Sequence, residues 1–211
     1  MLLALLVAVL LIAVVVYIAT RPPSLARAQR PSTSALAPLP ERFVVFDLET
    51  TGLDWSKHEI IEIGAIRVNR DSTNHDTFQA LVRPTRKVPK KITELTGITQ
   101  EMLEADGDPI AKTLREFLEF AGGLPLVSFN AEFDMSFLAK AAQQAGVVVS
   151  NEVSCALIMA RRAWPGRQSY RLADLARDGN LGNDGAHRAL EDCKRTLVVY
   201  VAAAAKLRVA S

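Results

Sequence analysis

The sequence predicts an α/β domain with a central mixed sheet of five strands, flanked by helices. Two observations support this fold class. The first part of the folded region contains three apolar runs joined by short polar connections, which is typical of an antiparallel meander. Beyond it, stretches with helical periodicity alternate with short apolar runs, which indicates that further strands are added through helices.

The meander is predicted to consist of strands over 43–49, 60–68 and 78–82. The first two runs are rich in β-branched residues, and apolar residues occupy alternate positions in the third. The connection 69–75 is short and polar, so the second and third strands are expected to be antiparallel neighbours.

Helices and strands then alternate. Apolar residues recur with helical spacing over 114–121, and Gly122 is expected to end that helix. A fourth strand is predicted over 124–129, followed by a helix that begins at the N-cap Asn130. That helix is expected to end at Gly146. The remaining predicted elements are a short strand over 147–149, helices over 152–162 and 171–177, and a last helix over about 186–206.

Two carboxylates lie at the end of the first predicted strand. Side chains alternate between the faces of a strand, so Asp47 and Glu49 point the same way, with Cα atoms roughly 6.6–7 Å apart. Two such anions repel each other and lose hydration when buried, and a shared divalent cation removes both penalties. Oxygen ligands suit Mg²⁺ or Mn²⁺. The alternative is a strand whose last residues emerge into solvent.

Two further acids and a histidine are candidates for the same site. Asp134 lies in the first turns of the helix that leaves the fourth strand, and that strand is expected to run beside the first. Asp192 lies on the last predicted helix, at the edge of the face that is expected to pack on the sheet. His187 is about 140° around a helix from Asp192, so it is expected at the frayed helix start. The plainer interpretation of Asp134 is an ordinary acid at a helix start, and that of His187 is a structural or solvated histidine. His58 and His75 are interpreted as polar loop residues.

The N-terminal region predicts a membrane attachment. Residues 1–20 form an uncharged apolar run long enough to span a bilayer, and residues 21–40 form a Pro-rich linker ahead of a folded domain over 41–211. A cleaved signal peptide is the alternative, with a cleavage site near Ala26-Arg27-Ala28, but the run lacks a positively charged start. Arginines after the run predict that the folded domain lies on the cytoplasmic side.

Charge and cysteine content limit the classes of function. The chain carries a net charge of +2, but residues 1–40 contain three arginines and no acid, which leaves −1 for residues 41–211. A nucleic-acid partner therefore has no support from net charge, only from local clusters. Cys155 and Cys193 are expected to be reduced core thiols, and neither lies in a zinc-binding pattern. The two basic clusters are Arg83, Arg86, Lys87, Lys90 and Lys91, and a looser set of Arg161, Arg162, Arg167 and Arg171.

Three segments of the chain resemble the three exonuclease motifs of the DnaQ-like DEDDh family, which includes DNA polymerase III epsilon subunits and RNase T. They are Phe46 to Leu53 (FDLETTGL), Phe129 to Leu138 (FNAEFDMSFL) and Ala186 to Asp192 (AHRALED). The stretch Ile92 to Thr99 is similar to the segment that precedes the crossover helix in that family. The resemblance covers about 43–200 and has the motifs in the family's order. It implies a ribonuclease-H-like fold and a hydrolase that acts from the 3′ end of nucleic acid with two divalent cations.

The resemblance also implies roles for individual residues. Asp47 would bridge two Mg²⁺ or Mn²⁺ ions, Glu49 and Asp192 would complete the first site, Asp134 would serve the second, and His187 would be the general base. The substrate-binding residues within the motifs would be Thr50, Thr51, Leu53 and Asn130. Lys87, Lys90 and Lys91 of the first basic cluster are predicted separately to follow the phosphate backbone, with a solvated surface as the alternative. The chain departs from the many members with His-Asn-Ala at the second motif, because Phe129 stands in place of that histidine.

The sequence therefore predicts a membrane-tethered, metal-dependent 3′→5′ exonuclease that acts on single-stranded 3′ ends, with DNA favoured over RNA. An exoribonuclease and a catalytically silent nucleic-acid-binding module are the alternatives. All five catalytic residue types are present, which argues against the silent module. The sequence does not identify a polymerase or repair partner.

Overall fold

The computed structural model describes residues 39–178 and 187–209, and within them the predicted five-stranded mixed sheet is confirmed. The strands are β1 (Arg42–Thr50), β2 (Ile60–Asn69), β3 (Asp76–Leu81), β4 (Leu126–Ser128) and β5 (Val153–Cys155). Their order across the sheet is β3-β2-β1-β4-β5. β1, β2 and β3 form the antiparallel meander, whereas β1, β4 and β5 are parallel.

Helices pack on both faces of the sheet. They are α1 (Lys90–Thr96), α2 (Gln100–Asp106), α3 (Ile110–Ala121), α4 (Ala131–Ala145), α5 (Ala156–Ala163), α6 (Leu172–Asp178) and α7 (Ala189–Val209). Val44, Phe46 and Leu48 of β1 belong to a core that includes residues of α3 and α4. The alternate residues Phe43 and Val45 belong to a second core with residues of α5 and α7. The alternation along β1 thus decides which helices each side chain meets.

Several element boundaries agree with the sequence prediction. α3 ends at Gly122 and α4 ends at Gly146, and both glycines have positive φ angles, of 56° and 64°. Asn130 occupies the N-cap position of α4, as predicted, but its side chain accepts no capping hydrogen bond there.

Other predicted elements are wrong. The fifth strand is not formed by 147–149 but by Val153–Cys155, and α5 begins only after it, at Ala156. α1 and α2 were not predicted, because each has only seven residues and too little length for a helical pattern. The predicted start of the last helix at 186 lies outside the described residues, as does the predicted anchor over 1–20.

The predicted membrane localisation is corrected by the structure. Within the described residues, each helix is too short or too polar to cross a membrane. α7 is the longest of them, and it contains charged residues such as Asp192, Lys194 and Arg195, which a bilayer core excludes. The predicted membrane-anchored protein with its catalytic domain on the cytoplasmic side is therefore not supported.

Gly64 of β2 allows α7 to approach the sheet closely. A Cβ atom added at this residue would lie 2.5 Å from the backbone N of Leu190 and 2.6 Å from the carbonyl carbon of Ala189. Both contacts are with backbone atoms, which cannot rotate away. The start of α7 is thus placed against β2 by the absence of a side chain.

We predict that Gly64→Ala lowers the free energy of unfolding by about 1–3 kcal/mol, because the methyl group must displace the α7 backbone. Chemical denaturation of purified protein measures this loss. Gly123→Ala is the matched control, since nothing lies within 4 Å of its added Cβ atom. The control is expected to change stability by no more than about 0.5 kcal/mol. Equal stability of the two variants would contradict the close approach of α7.

Candidate active site

Four acidic side chains converge at one end of the sheet. Asp47 and Glu49 lie on the face of β1 that also carries Phe43 and Val45 and that faces α7. Asp192 lies in the first turn of α7. One carboxylate oxygen from each of Asp47, Glu49 and Asp192 lies within 4.8 Å of the others. The structure thus brings together three of the predicted site residues, from two distant parts of the chain.

Asp134 approaches the same end of the sheet from β4. Because β4 is parallel to β1 and α4 begins just after it, the first turn of α4 lies near the end of β1. The Asp134 carboxylate is buried, and it accepts hydrogen bonds from the Ser128 hydroxyl and from the backbone N–H of Leu48. Burial raises the pKa of Asp134 although these hydrogen bonds oppose the shift.

The crowding of acids raises the pKa values of the two carboxyls on β1. Burial is the largest cause for Asp47, whose pKa is well above its usual range, and repulsion from Asp134 and Asp192 adds to it. Burial together with the charges of Asp192 and Glu62 raises the pKa of Glu49 to about 8. The site therefore resists holding all its negative charge near neutral pH unless a cation compensates it.

The donor set fits a hard divalent cation. Carboxylate oxygens are the ligands that Mg²⁺ and Mn²⁺ prefer, and three of them are close enough here to share one ion. The raised pKa values of Asp47 and Glu49 reflect the cost of burying negative charges close together. A bound cation would relieve the same repulsion. The residues present therefore fit a divalent metal centre.

His187 contacts the acidic cluster through Asp192. Its ring Nδ1 lies 3.2 Å from Asp192 Oδ2, and its side chain is about half exposed, at 51%. Its backbone N–H donates to the Leu95 carbonyl oxygen, 3.0 Å away, at the end of α1. His187 lies before the helical residues of α7. The separation of about 140° from Asp192 that a regular helix would give therefore does not apply, and the ring of His187 contacts the Asp192 carboxylate.

Two charged contacts were missed by the sequence analysis. Arg195 Nη1 lies 2.6 Å from Asp192 Oδ1, and both side chains are buried. Glu62, with no exposed surface, receives Arg188 Nη2 at 2.6 Å. A charged residue within the apolar run IIEIGAI was the signal that could have pointed to Glu62, and the i, i+3 spacing was the signal for Arg195.

The end of β1 and the loop that follows it carry three of the residues predicted to bind substrate. The Thr50 hydroxyl donates to the Gly52 carbonyl oxygen at 2.8 Å, and Thr51 Oγ1 accepts from the Glu59 N–H at 3.0 Å. Both threonines are buried, and their hydroxyls shape the turn. Leu53 is 85% exposed. Asn130, also exposed, lies in a different segment, at the start of α4.

Lys140 of α4 holds this loop from the side. Its ammonium group donates to the carbonyl oxygens of Trp55 and His58, at 2.9 and 3.1 Å. The side chain of Trp55 remains 50% exposed. The helix that carries Asp134 and the loop that follows Glu49 are therefore tied together by one lysine.

Two residues of the first basic cluster, Lys90 and Lys91, lie at the start of α1, and the other end of this helix contacts His187. Lys90 pairs with Glu94 at 3.5 Å, whereas Lys87 and Lys91 are exposed and make no ion pair with another described residue. Lys91 and Leu95 share a helix face, and the Leu95 carbonyl oxygen is the partner of His187. In the second cluster, Arg167 pairs with Asp178 at 2.6 Å and Arg161 lies over the Tyr170 ring.

Phe129 and the two cysteines have structural positions. Phe129, at the position where many family members carry histidine, is partly buried and packs against two core clusters. Cys155 and Cys193 are free and buried, as predicted.

Comparisons with known proteins agree with the geometry. A family model described as Exonuclease matches residues 44–200. The DNA polymerase III subunit epsilon of Aquifex aeolicus is 38% identical, over 75% of this chain and 78% of that protein. The PolC-type DNA polymerase III of Caldanaerobacter subterraneus is 40% identical over 82% of this chain. The chain spans only 12% of that polymerase, so it corresponds to a small part of such proteins.

Solved structures share the fold. Exonuclease X in complex with 5′ overhanging duplex DNA is 27% identical with a TM-score of 0.59, over 76% of this chain and 90% of that one. Escherichia coli exonuclease I in complex with a dA16 oligonucleotide has a TM-score of 0.66 over 80% of this chain and 41% of that one. At 19% identity, the second likeness shows the ribonuclease-H-like fold alone. The family model, the epsilon relative and the fold together confirm the predicted resemblance, and the chain belongs to the DnaQ-like family of 3′→5′ exonucleases.

Proposed function

We propose that this chain hydrolyses phosphodiester bonds from the 3′ end of single-stranded nucleic acid, with DNA as the preferred substrate, by means of two divalent cations and a histidine base. The observation that carries the proposal is the cluster of Asp47, Glu49 and Asp192 with His187 in contact with Asp192. A merely structural ion-pair network would neutralise its acids with basic residues. Here Asp47 and Glu49 form no salt bridge with a described basic residue.

The acids divide into two sets of ligands in this proposal. Asp47, Glu49 and Asp192 would hold one Mg²⁺ or Mn²⁺ ion, and Asp47 with Asp134 would hold the other. When bound, the cations neutralise the phosphodiester, lower the pKa of the attacking water and stabilise the leaving 3′-oxygen. Asp134 lies outside the tight group of three and is buried, which suits the second position.

His187 acts as general base through its second ring nitrogen. The Asp192 carboxylate next to Nδ1 favours the tautomer with the proton on Nδ1, which leaves Nε2 free to accept a proton. Water, deprotonated by His187, attacks phosphorus, the bond to the 3′-oxygen breaks, and a nucleoside 5′-monophosphate leaves. Exposure of the imidazole allows it to pass that proton to solvent.

Substrate contacts are assigned to residues around the acidic cluster. Leu53, exposed just after β1, offers an apolar surface for the terminal base, and Asn130 offers an amide beside the start of α4. Thr50 and Thr51 fix the turn that presents Leu53. The exposed cations Lys87 and Lys91, with Lys90, follow the phosphate backbone and compensate for a domain without net positive charge.

The names of the relatives favour DNA over RNA, since they include DNA polymerase III proteins and exonuclease X with duplex DNA.

Digestion of 5′-labelled DNA and RNA oligonucleotides of matched sequence, with Mg²⁺ or Mn²⁺ and with a chelator as control, tests the proposal. We expect a ladder that shortens from the 3′ end, faster for DNA. Faster RNA digestion would assign the exoribonuclease alternative, and no digestion of either would leave the silent binding module.

We predict that Asp47→Asn abolishes detectable hydrolysis while the domain still folds, because removal of one of several mutually repelling acids relieves charge crowding. His187→Ala is expected to lower kcat by about 10²–10⁴-fold, the usual contribution of a general base. Single-turnover digestion measures both effects. Asp71→Asn, at an exposed acid between β2 and β3, is the control and should retain full activity. Near-normal activity of Asp47→Asn would contradict the metal assignment.

We predict a pH-dependent stability that divalent metal removes. The folded-state pKa of Glu49 is raised from 4.5 to about 8, so its stabilising contribution is complete below pH 4.5 and is lost as the pH rises through 8. Without metal, the Tm should fall between about pH 5 and pH 8, and Mg²⁺ should raise it more at the upper end of that range. Differential scanning fluorimetry measures this, and Glu49→Gln should reduce the pH slope, with the remainder due to Asp47 and Asp134. A metal effect that does not depend on pH would exclude relief of this repulsion.

We predict that replacement of Lys87, Lys90 and Lys91 with Gln raises KM and leaves kcat nearly unchanged. Each lost phosphate contact should reduce the slope of log binding constant against log salt by about 0.7 for a single strand. Fluorescence anisotropy at several salt concentrations, with Mg²⁺ replaced by Ca²⁺, measures the slope. Lys206→Gln, an exposed lysine near the end of α7, is the control. An unaltered slope in the triple variant would show that the cluster is only a solvated surface.

A further inference from the structure

We infer that Glu62 and Arg188 are positioning residues for the reaction. Their ion pair fixes the first turn of α7 against β2, and it thereby fixes the distance of His187 and Asp192 from the acids of β1. The inference rests on the proposed function and extends it to two residues that contact neither metal nor substrate.

Glu62 is an acid that the metal centre does not use. It lies directly opposite Glu49 in the antiparallel register of β1 and β2, and it has no exposed surface. Arg188 approaches it with two groups, Nη2 at 2.6 Å from Oε1 and Nε at 3.1 and 3.2 Å from the two oxygens. This fork geometry restricts orientation as well as distance, which a single point charge would not do.

The remaining acceptor positions of Glu62 are also occupied. The backbone N–H of Ala189, the first residue of α7, donates to Oε2 at 2.9 Å. Gln79 of β3 donates to Oε1 at 2.9 Å. The carboxylate therefore satisfies a free N–H group at the helix start and lies at the positive end of the helix dipole. In this position the Glu62 carboxylate binds the start of α7 and not a cation.

Arg188 is the residue through which this contact reaches the reacting groups. It follows His187 directly, and its carbonyl oxygen accepts from the Asp192 N–H at 3.0 Å. A displacement of the Arg188 backbone must therefore move the base on one side and the metal ligand on the other. Errors of about 1 Å in such groups lower rates by up to about 10²-fold.

The experiment compares Arg188→Lys and Glu62→Gln with Arg67→Lys. Lys keeps the charge at 188 but lacks the fork, and Gln keeps the shape at 62 but lacks the charge. Arg67 is the control, since its side chain is 30% exposed, against 33% for Arg188, and its guanidinium donates to the Phe120 carbonyl oxygen at 2.8 Å and pairs with the exposed Asp76. Arg67 lies near the opposite end of β2 from Glu62.

Four quantities are measured for each variant: kcat and KM on a short DNA strand, Tm, and Mn²⁺ affinity by electron paramagnetic resonance. For Arg188→Lys and Glu62→Gln we expect kcat to fall about 10- to 100-fold, with KM within about twofold of wild type. Mn²⁺ affinity should fall as well, because Asp192 moves. Arg67→Lys should show a similar loss of Tm with kcat and Mn²⁺ affinity unchanged.

The inference is overturned if Arg188→Lys keeps kcat within about twofold of wild type, or if Arg67→Lys loses as much kcat for the same loss of Tm. Arg188→Lys decides the question on its own if Glu62→Gln does not fold. If wild type releases no nucleotides, the proposed function fails, and the Mn²⁺ affinities still decide the inference. Equal affinities in Arg188→Lys and Arg67→Lys would then show that the ion pair does not position Asp192.

Discussion

Repulsion among buried carboxylates is the constraint on which the rest of the structure depends. Asp47 and Glu49 are adjacent on one face of a core strand, and Asp134 and Asp192 are brought toward them by α4 and α7. Burial is the larger cost for the charged forms of Asp47 and Glu49, and repulsion from the neighbouring acids adds to it. Such an arrangement persists only if the surrounding fold is rigid enough to impose it. The central strand pairs, the close approach at Gly64 and the hydrogen bonds at the helix starts provide that rigidity.

The surroundings of the four acids differ in a way that suits different roles. Asp134 is stabilised by donors from Ser128 and the β1 backbone, and Asp192 by Arg195 and His187. Asp47 and Glu49 have no such ion-pair partners among the described residues, so they are the acids that gain most from a cation. A cation would bind where acids lack a partner, at Asp47 and Glu49. Asp134 and Asp192 would keep their orientation without a cation, because their partners hold them.

The sequence predicted what depends on local pattern. The strands β1 and β2 and the helix α4 were located within about two residues, because their apolar periodicity and glycine stops are strong. Val153–Cys155 was mistaken for helix, and Val147–Val149 for strand, because a three-residue parallel strand is defined by its neighbour β4 rather than by its own residues. The sequence motifs named four acids and His187 as candidates, and the structure places them near one another, but Glu62 and Arg195 were not assigned. The partner of Glu62 is 126 residues away in the chain. The partner of Arg195 lies in the same helix, three residues earlier, where the pair does not stand out from the helical pattern.

The bonds from Lys140 to the carbonyl oxygens of Trp55 and His58 have a consequence for how the enzyme can change. They join the loop that presents Leu53 to a helix, through a single charge and without any acid of the cluster. Neutralisation of that amine, by acetylation or by substitution, would loosen the loop that presents Leu53 and leave the four acids in place. The position of this loop can therefore change independently of the acidic cluster, through a residue that bonds to the loop backbone and to none of the four acids.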